Sequence, residues 1–166
     1  MKKKLISEGK DYTYMLTIFR EIILKSGIKE NENLIFSGCQ GTCYAMATFF
    51  CFGIRDLKLH TYFVLDSDIN QLWRLEYVKN LGVIATRKEN PIKAKVIVLM
   101  SGLMRVPFHN TLRLIDDALA SDGIIIGETV VPGLFEKAKW DKEISFDYIF
   151  EFSMEKPSSF EVVSMD

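Results

Sequence analysis

Leu34-Ile-Phe-Ser-Gly-Cys-Gln-Gly-Thr-Cys-Tyr44 is the stretch whose reading decides the fold. Leu34 to Ser37 reads as a buried strand and Thr42 to Phe52 as a helix. Between them lies a short turn carrying Gly38 and Gly41. Such a turn aims backbone amides at a helix N-terminus, where anionic and nucleotide-type ligands often sit. Further on, Leu57 to Leu65 is a second apolar run, rich in β-branched and aromatic residues, that ends in Asp66 and Asp68. A glycine turn followed by an acidic strand end is the layout of a Rossmann-like site.

Strands and helices alternate outward from this stretch. Before it, Tyr12, Met15, Leu16, Phe19, Ile22 and Ile23 recur at helical spacing, with Asp11 as N-cap and Gly27 as stop. Lys2-Lys3-Lys4 reads as a solvated tail. After Asp68 the spacing predicts a helix over Ile69 to Asn80, with a strand through Trp73 to Val78 as the alternative. Val83 to Thr86 is a short strand and Asn90-Pro91 a turn. Val96 to Met100 is apolar throughout, the pattern of a strand covered on both faces. Asn110 or Thr111 caps a helix through Leu112, Ile115, Ala118 and Leu119, closed by Asp122-Gly123. Ile124 to Ile126 is a strand, Pro132-Gly133 a turn and Leu134 to Trp140 a short helix. In the tail, Phe146, Tyr148, Phe150 and Phe152 alternate with Asp147, Glu151 and Ser153, and Pro157-Ser158-Ser159 turns into Phe160 to Val163. That is the pattern of a terminal antiparallel hairpin.

The expected fold is α/β: a three-layer Rossmann-like domain whose sheet is mostly parallel, with a C-terminal antiparallel hairpin. One domain is expected over 1–166, with the tail and first helix at 1–32, core α/β units at 33–130, and the last helix and hairpin at 131–166.

Composition narrows the function classes. A chain of 166 residues buries roughly 70% of its unfolded surface, enough for one sizeable core. The net charge of −1 provides no clear nucleic-acid footprint. No segment approaches the ~20 apolar residues of a membrane helix; the densest, Ala45 to Ile54, contains Thr48 and Gly53. The N-terminus lacks a signal-peptide core, so no membrane partner and a cytoplasmic location are expected. Three cysteines do not make a disulfide framework.

The candidate ligand region is the C-terminal edge of the strands: Gly38, Cys39, Gln40, Gly41, Thr42, Asp66, Asp68, Ser101, Gly102 and Glu128. Cys39 and Cys43 are spaced i, i+4 at a helix N-terminus, which favours a thiolate; the plainer reading is two small residues packing a tight turn. Two cysteines alone do not complete a tetrahedral metal site. Cys51, among Phe49, Phe50 and Phe52, reads as core. Thr42 either caps the helix or offers its hydroxyl to a ligand. Asp66-Ser67-Asp68 either meets a ligand or caps the next helix. Met100, Leu103 and Met104 form an apolar wall or core filling, and Arg105 and His109 flank Pro107. His109 is a general-base candidate by residue type, set against a plain surface or capping role. Glu128 suits a cation or amine, or a structural hydrogen bond. The alternating tail invites pairing with a second copy of the chain, while Asp147, Glu151 and Glu155 oppose it; a homodimer is left open.

The order of elements resembles the Rossmann-like fold of class I S-adenosylmethionine-dependent methyltransferases, from about Asn33 to Val163. Gly38-Cys39-Gln40-Gly41-Thr42 is similar to that family's glycine-rich first motif, Asp66 to the acid that bonds the ribose, and Asp122-Gly123-Ile-Ile-Ile-Gly-Glu128 to its turn and fifth strand. The chain departs from the motif at Phe36, where the family carries an acid, and at Gln40 or Gly41 and Thr42 or Cys43, where its later glycines fall. A weaker likeness is to a group of small, uncharacterised Rossmann-like proteins of methanogenic archaea. The first resemblance implies a nucleoside-type ligand such as S-adenosylmethionine, held by Gly38, Gly41 and Asp66, with methyl transfer by positioning. Against it stand a non-catalytic binding or assembly protein that keeps the fold without the cofactor, and a thiol redox or metal site at Cys39 and Cys43.

Overall fold

Successive side chains of a strand face opposite ways, and the central strands bury both sets. In β2 (Asn33–Gly38), Leu34 and Phe36 enter one apolar cluster and Ile35 another. In β6 (Ala94–Met100), Val96, Val98 and Met100 join the first, Ile97 and Leu99 the second. A sheet lies between the two clusters, and helices cover both. The first cluster is roofed by α1 (Met15–Lys25) and α2 (Thr42–Gly53), where Phe19 stacks on Phe50 at 4.4 Å between ring centroids. The second is covered by Leu114 and Ala118 of α3 (Phe108–Ala118), and by Phe135 of α4 (Leu134–Lys137) with Trp140 just beyond it. In α1 the inward stripe Met15, Ile18, Phe19, Ile22 and Ile23 follows the helical period, and Gly27 ends the run at φ 73°.

The computed structural model describes residues 1–153 and 157–163. The remaining strands are β1 (Lys2–Glu8), β3 (His60–Leu65), β4 (Leu72–Val78), β5 (Gly82–Lys88), β7 (Leu119–Thr129), β8 (Tyr148–Glu151) and β9 (Ser158–Val163). They form one nine-stranded sheet in the order β1-β9-β8-β7-β6-β2-β3-β4-β5. Pairing is parallel at β2/β3, β2/β6, β6/β7 and β7/β8. It is antiparallel at β1/β9, β8/β9, β3/β4 and β4/β5. The protein is therefore mixed α/β, and the expected mostly parallel sheet gives way to a parallel centre with antiparallel strands on both flanks. The C-terminal hairpin is present as read, through Ile149↔Phe160 and its neighbours.

Several expectations are corrected. Residues 72–78 are strand β4, the alternative reading of Trp73 to Val78, and the helix expected over 69–80 is reduced to a 3-10 turn at Ile69–Gln71. Leu72 and Leu75, three apart, mimic helical spacing because they serve opposite faces: Leu72 lies in the second cluster and Leu75 in the first. Lys2 to Lys4 are not a solvated tail but the start of β1, paired to β9, with Lys3 bonded to Glu151 at 2.6 Å and to Glu136 at 2.8 Å. That strand forms because its partner arrives from the far end of the chain, which no local pattern encodes. For the same reason β8 is an interior strand, so the tail presents no free alternating edge there; Glu155 lies outside the described residues. Helix α3 starts at Phe108 after Pro107, a residue suited to the start of a helix. It ends at Ala118, so Asp122-Gly123 sits inside β7 rather than closing the helix. Residues 55–57 form a 3-10 turn before β3, and the expected helix over 134–140 stops at Lys137, short of Lys139 at φ 61°.

Candidate functional site

The turn from β2 into α2 is shaped around sulfur. A Cβ on Gly38 would overlap the Cys43 Cβ and sit 3.2 Å from the Met100 Cβ. A Cβ on Gly102 would overlap the Cys43 Sγ and sit 2.9 Å from the Cys39 Sγ. Glycine is used at both places because the cysteine side chains occupy the space. The two thiols lie 3.2 Å apart, sulfur to sulfur, and both are free. Cys39 is 6% exposed and Cys43 4%.

Backbone donors converge on both sulfurs. Burial disfavours a Cys39 thiolate, but the Cys43 N–H, the Cys43 thiol, the Gly41 N–H and the Thr42 hydroxyl outweigh it and bring its pKa down to about 7. The Thr42 oxygen is 3.8 Å from that sulfur. Cys43 goes the other way. Burial, reinforced by the neighbouring Cys39 charge, pushes it up to about 11, although the Cys39 and Gly102 N–H groups both point to it. One sulfur is thus easily ionised and its neighbour held as a thiol. This division follows from position: Cys39 precedes the helix and meets its free amides, as the dipole favours, while Cys43 lies inside the first turn.

Glu128 completes the group. It is the penultimate residue of β7, opposite Met100, and only 2% of it is exposed. Burial drives its carboxyl up to about 7 against the Ser101 N–H, and the Cys39 charge adds to the rise. Ser101 and Gly102 open a 3-10 turn at the end of β6, so one segment of backbone faces Glu128 with its first amide and Cys43 with its second.

Other residues stand around this centre. The Asp66 N–H donates to the Gly38 carbonyl at 2.9 Å, tying the end of β3 to the turn. Asp66 adopts φ 50°, and its Oδ1 is buried without a hydrogen-bond partner, with Arg105 Nη2 3.9 Å away. Gln40 is exposed and rims a cleft of about 260 Å³ with Tyr44, Phe63, Leu65, Trp73 and Ala85. The Tyr44 hydroxyl accepts the Ala85 N–H at 3.0 Å, and its ring meets Phe63 edge-on at 5.5 Å.

Of the residues singled out in the sequence, Gly38, Cys39, Thr42, Ser101, Gly102 and Glu128 gather around the sulfurs. Asp66 joins through its backbone. Gly41 is the N-cap of α2, so Thr42 does not cap the helix. Asp68 is not part of the group: it accepts the Asn70 N–H at 3.0 Å, capping a 3-10 turn, and lines a separate cavity with Asn110 and Arg113. His109 is exposed on α3. Phe63 and Trp73, which line the cleft, went unnoticed in the sequence. The strand alternative at Trp73 to Val78 is what brings Trp73 beside Phe63, its partner across β3/β4. Cys51, two turns along α2, is buried, and its thiol is pushed up to about 12 by desolvation. Among the described residues, no three or more His, Cys, Asp or Glu side chains gather to hold a metal ion. No helix among them is long and apolar enough to cross a membrane.

The chain is similar to proteins of methanogenic archaea. It is 33% identical to an uncharacterised protein of Methanocaldococcus jannaschii over 153 residues, 91% of each chain. It is 28% identical to an uncharacterised protein of Methanothermobacter thermautotrophicus over 141 residues, 81% of this chain and 84% of the other. A crystal structure of a protein of unknown function from Methanothermobacter thermautotrophicus superposes with a TM-score of 0.78 at 23% identity, covering 91% of this chain and 94% of that one, and shares the fold. A family model described as "Uncharacterized protein conserved in archaea" matches residues 11–155, and with most of the chain inside that match the protein belongs to this archaeal family, DUF2124.

Proposed function

We propose that the Cys39–Cys43 turn is a dithiol–disulfide centre that exchanges electrons with disulfide substrates. The observation that carries this reading is the pair of free sulfurs 3.2 Å apart, one ionised easily and the other held as a thiol. A disulfide bond is ~2.0 Å long, so a small side-chain movement closes it. The Cys39 thiolate attacks one sulfur of a substrate disulfide; a mixed disulfide forms and the other substrate sulfur leaves as thiolate. Cys43 then loses its proton and attacks the Cys39 sulfur. The Cys39–Cys43 bond forms and the second substrate thiolate departs. The substrate gains two electrons, and the protein dithiol is oxidised by two.

The glycine positions speak for this reading over a methyl donor. The space at Gly38 and Gly102 that a closely approaching cofactor would need is filled by the cysteine side chains, so these residues do not fit such a group there. The test is reaction of the Cys51→Ala protein with an aromatic disulfide that releases coloured thionitrobenzoate. Two equivalents released, with a Cys39–Cys43 disulfide mapped by mass spectrometry, is the expected result. A single equivalent with a persistent mixed disulfide would overturn it.

A second reading keeps a nucleoside-type ligand, displaced toward Asp66 and the aromatic cleft. The unpartnered, buried Asp66 Oδ1 favours it, because such an oxygen is suited to accept a ligand hydroxyl. Thermal unfolding with S-adenosylhomocysteine, NAD, FMN and ATP is the check. A ligand at a hundred times its Kd stabilises by about 2.7 kcal/mol, a rise of roughly 5–11 °C for a domain of this size. No rise with any of them, or a rise unchanged by Asp66→Ala, removes this reading.

A further inference from the structure

A buried carboxyl is costly unless something uses or compensates it. Glu128 is 2% exposed, and among the described residues no cation is paired with it. Its strand neighbours in register are apolar, Met100 on β6 and Phe150 on β8. The charged group whose field reaches it is Cys39. The Ser101 N–H faces its carboxyl, and the next amide, of Gly102, faces the Cys43 sulfur. Successive residues of a 3-10 turn rise by only about 2 Å, and Gly102 packs directly against both sulfurs, so one short piece of backbone faces both the acid and the thiol.

We propose that Glu128 is the proton acceptor for the Cys43 thiol in the resolving step. The inference rests on the dithiol reading. Once Cys39 is in the mixed disulfide it is no longer a thiolate, and Glu128 is the base left in the buried pocket. The Cys43 S–H bond breaks and its proton passes to the Glu128 carboxylate. The sulfur's electron pair forms the bond to Cys39, and the substrate sulfur leaves with the electrons of the bond it loses. Glu128 then returns the proton to solvent or to the departing thiolate. The Ser101–Gly102 backbone keeps acid and thiol in place throughout, and the sulfurs leave no room for a side chain on Gly102.

The experiment follows the two phases of thionitrobenzoate release in the Cys51→Ala background, with and without Glu128→Gln. The first phase reports Cys39 and the second reports resolution by Cys43. The expected result is a first phase near the parent rate and a second slowed by about a hundredfold, with its inflection near pH 7 lost. Glu128→Asp, which keeps a carboxylate, restores the inflection at a reduced rate. A second phase unchanged in rate and pH profile overturns the proposal, as does equal slowing of both phases, which marks a structural role. If E128Q does not fold, the parent profile decides: a second-phase inflection at or below neutrality matches Glu128, and one only at alkaline pH matches unassisted Cys43, whose burial raises its thiol, and overturns the proposal. Release of a single equivalent by the parent protein is a different failure, because it removes the dithiol reading itself.

Discussion

Cys43 and Cys51 lie on the same face of the same helix, two turns apart, yet they are different chemical groups. Both are buried. Cys51 faces Phe50-rich core and one hydroxyl, that of Thr61, so its thiol is pushed up to about 12 and has no sulfur to meet. Cys43 has a second sulfur at 3.2 Å, amides from Cys39 and Gly102, and a carboxyl held on the adjoining amide. Burial raises both thiols; what separates them is the second sulfur, with its amides, that only Cys43 has within reach.

The sharpest way to break that comparison is to remove one sulfur from each place. Cys43→Ser should abolish release of the second thionitrobenzoate equivalent and leave a stable mixed disulfide on Cys39. Cys51→Ser should leave both equivalents intact. Equal behaviour of the two variants, read by mass spectrometry, would erase the distinction.

A smaller effect is expected in stability against pH. Burial raises the Glu128 carboxyl from 4.5 to about 7. Its contribution is therefore fully present below pH 4.5, is lost as pH rises, and is gone above 7, a fall of about 3 kcal/mol. Glu128→Gln should flatten this fall, so that the variant overtakes the parent in urea unfolding at pH 8. The lowered Cys39 pKa works in the opposite sense, adding stability as pH rises from about 7 toward 9. Replacing Cys39 with alanine should remove that rise, and should also shrink the Glu128 fall, since the Cys39 charge adds to the raised carboxyl.

Next comes Gly102→Ala. Its Cβ would overlap the Cys43 sulfur, and overpacking of this kind costs about 1–3 kcal/mol. In a Cys43→Ala background most of the loss should be recovered, because the tightest overlap is with that side chain; an equal loss in both backgrounds, from denaturant midpoints, would place the strain at Cys39 or the backbone instead. Smallest is Cys51→Ala, a cost of about 1 kcal/mol with no change in thiol kinetics. Altered kinetics would show that the core thiol influences the pair.

The legible and illegible parts of the fold divide along the same line as the two cysteines. The run at Val96 to Met100 and the helical stripe of α1 were readable because their periods are local. The site was half readable. The glycine turn, Cys39, Thr42, Ser101, Gly102 and Glu128 all stood at apparent strand ends, so topology gathered them. Asp68 looked equivalent to Asp66 in sequence, but a positive φ at Asp66 and Ser67 turns the chain and sends the two acids to different surroundings. The role of the glycines was the least visible. A glycine making room for a ligand and one making room for a cysteine are the same letter.

The sequence by itself determined that the fold mixes strands and helices, that the strand at 34–37 runs through a small-residue turn into a helix, that a C-terminal hairpin follows, and that Cys51 belongs to the core. Each follows from neighbours within a few residues. Tertiary structure alone decided that the lysine-rich N-terminus would be an edge strand, that 72–78 would pair with β3, and that Glu128 would face the same backbone turn as Cys43. Those outcomes depend on partners tens of residues away, and on which of several apolar surfaces can be buried together. No local period records that choice.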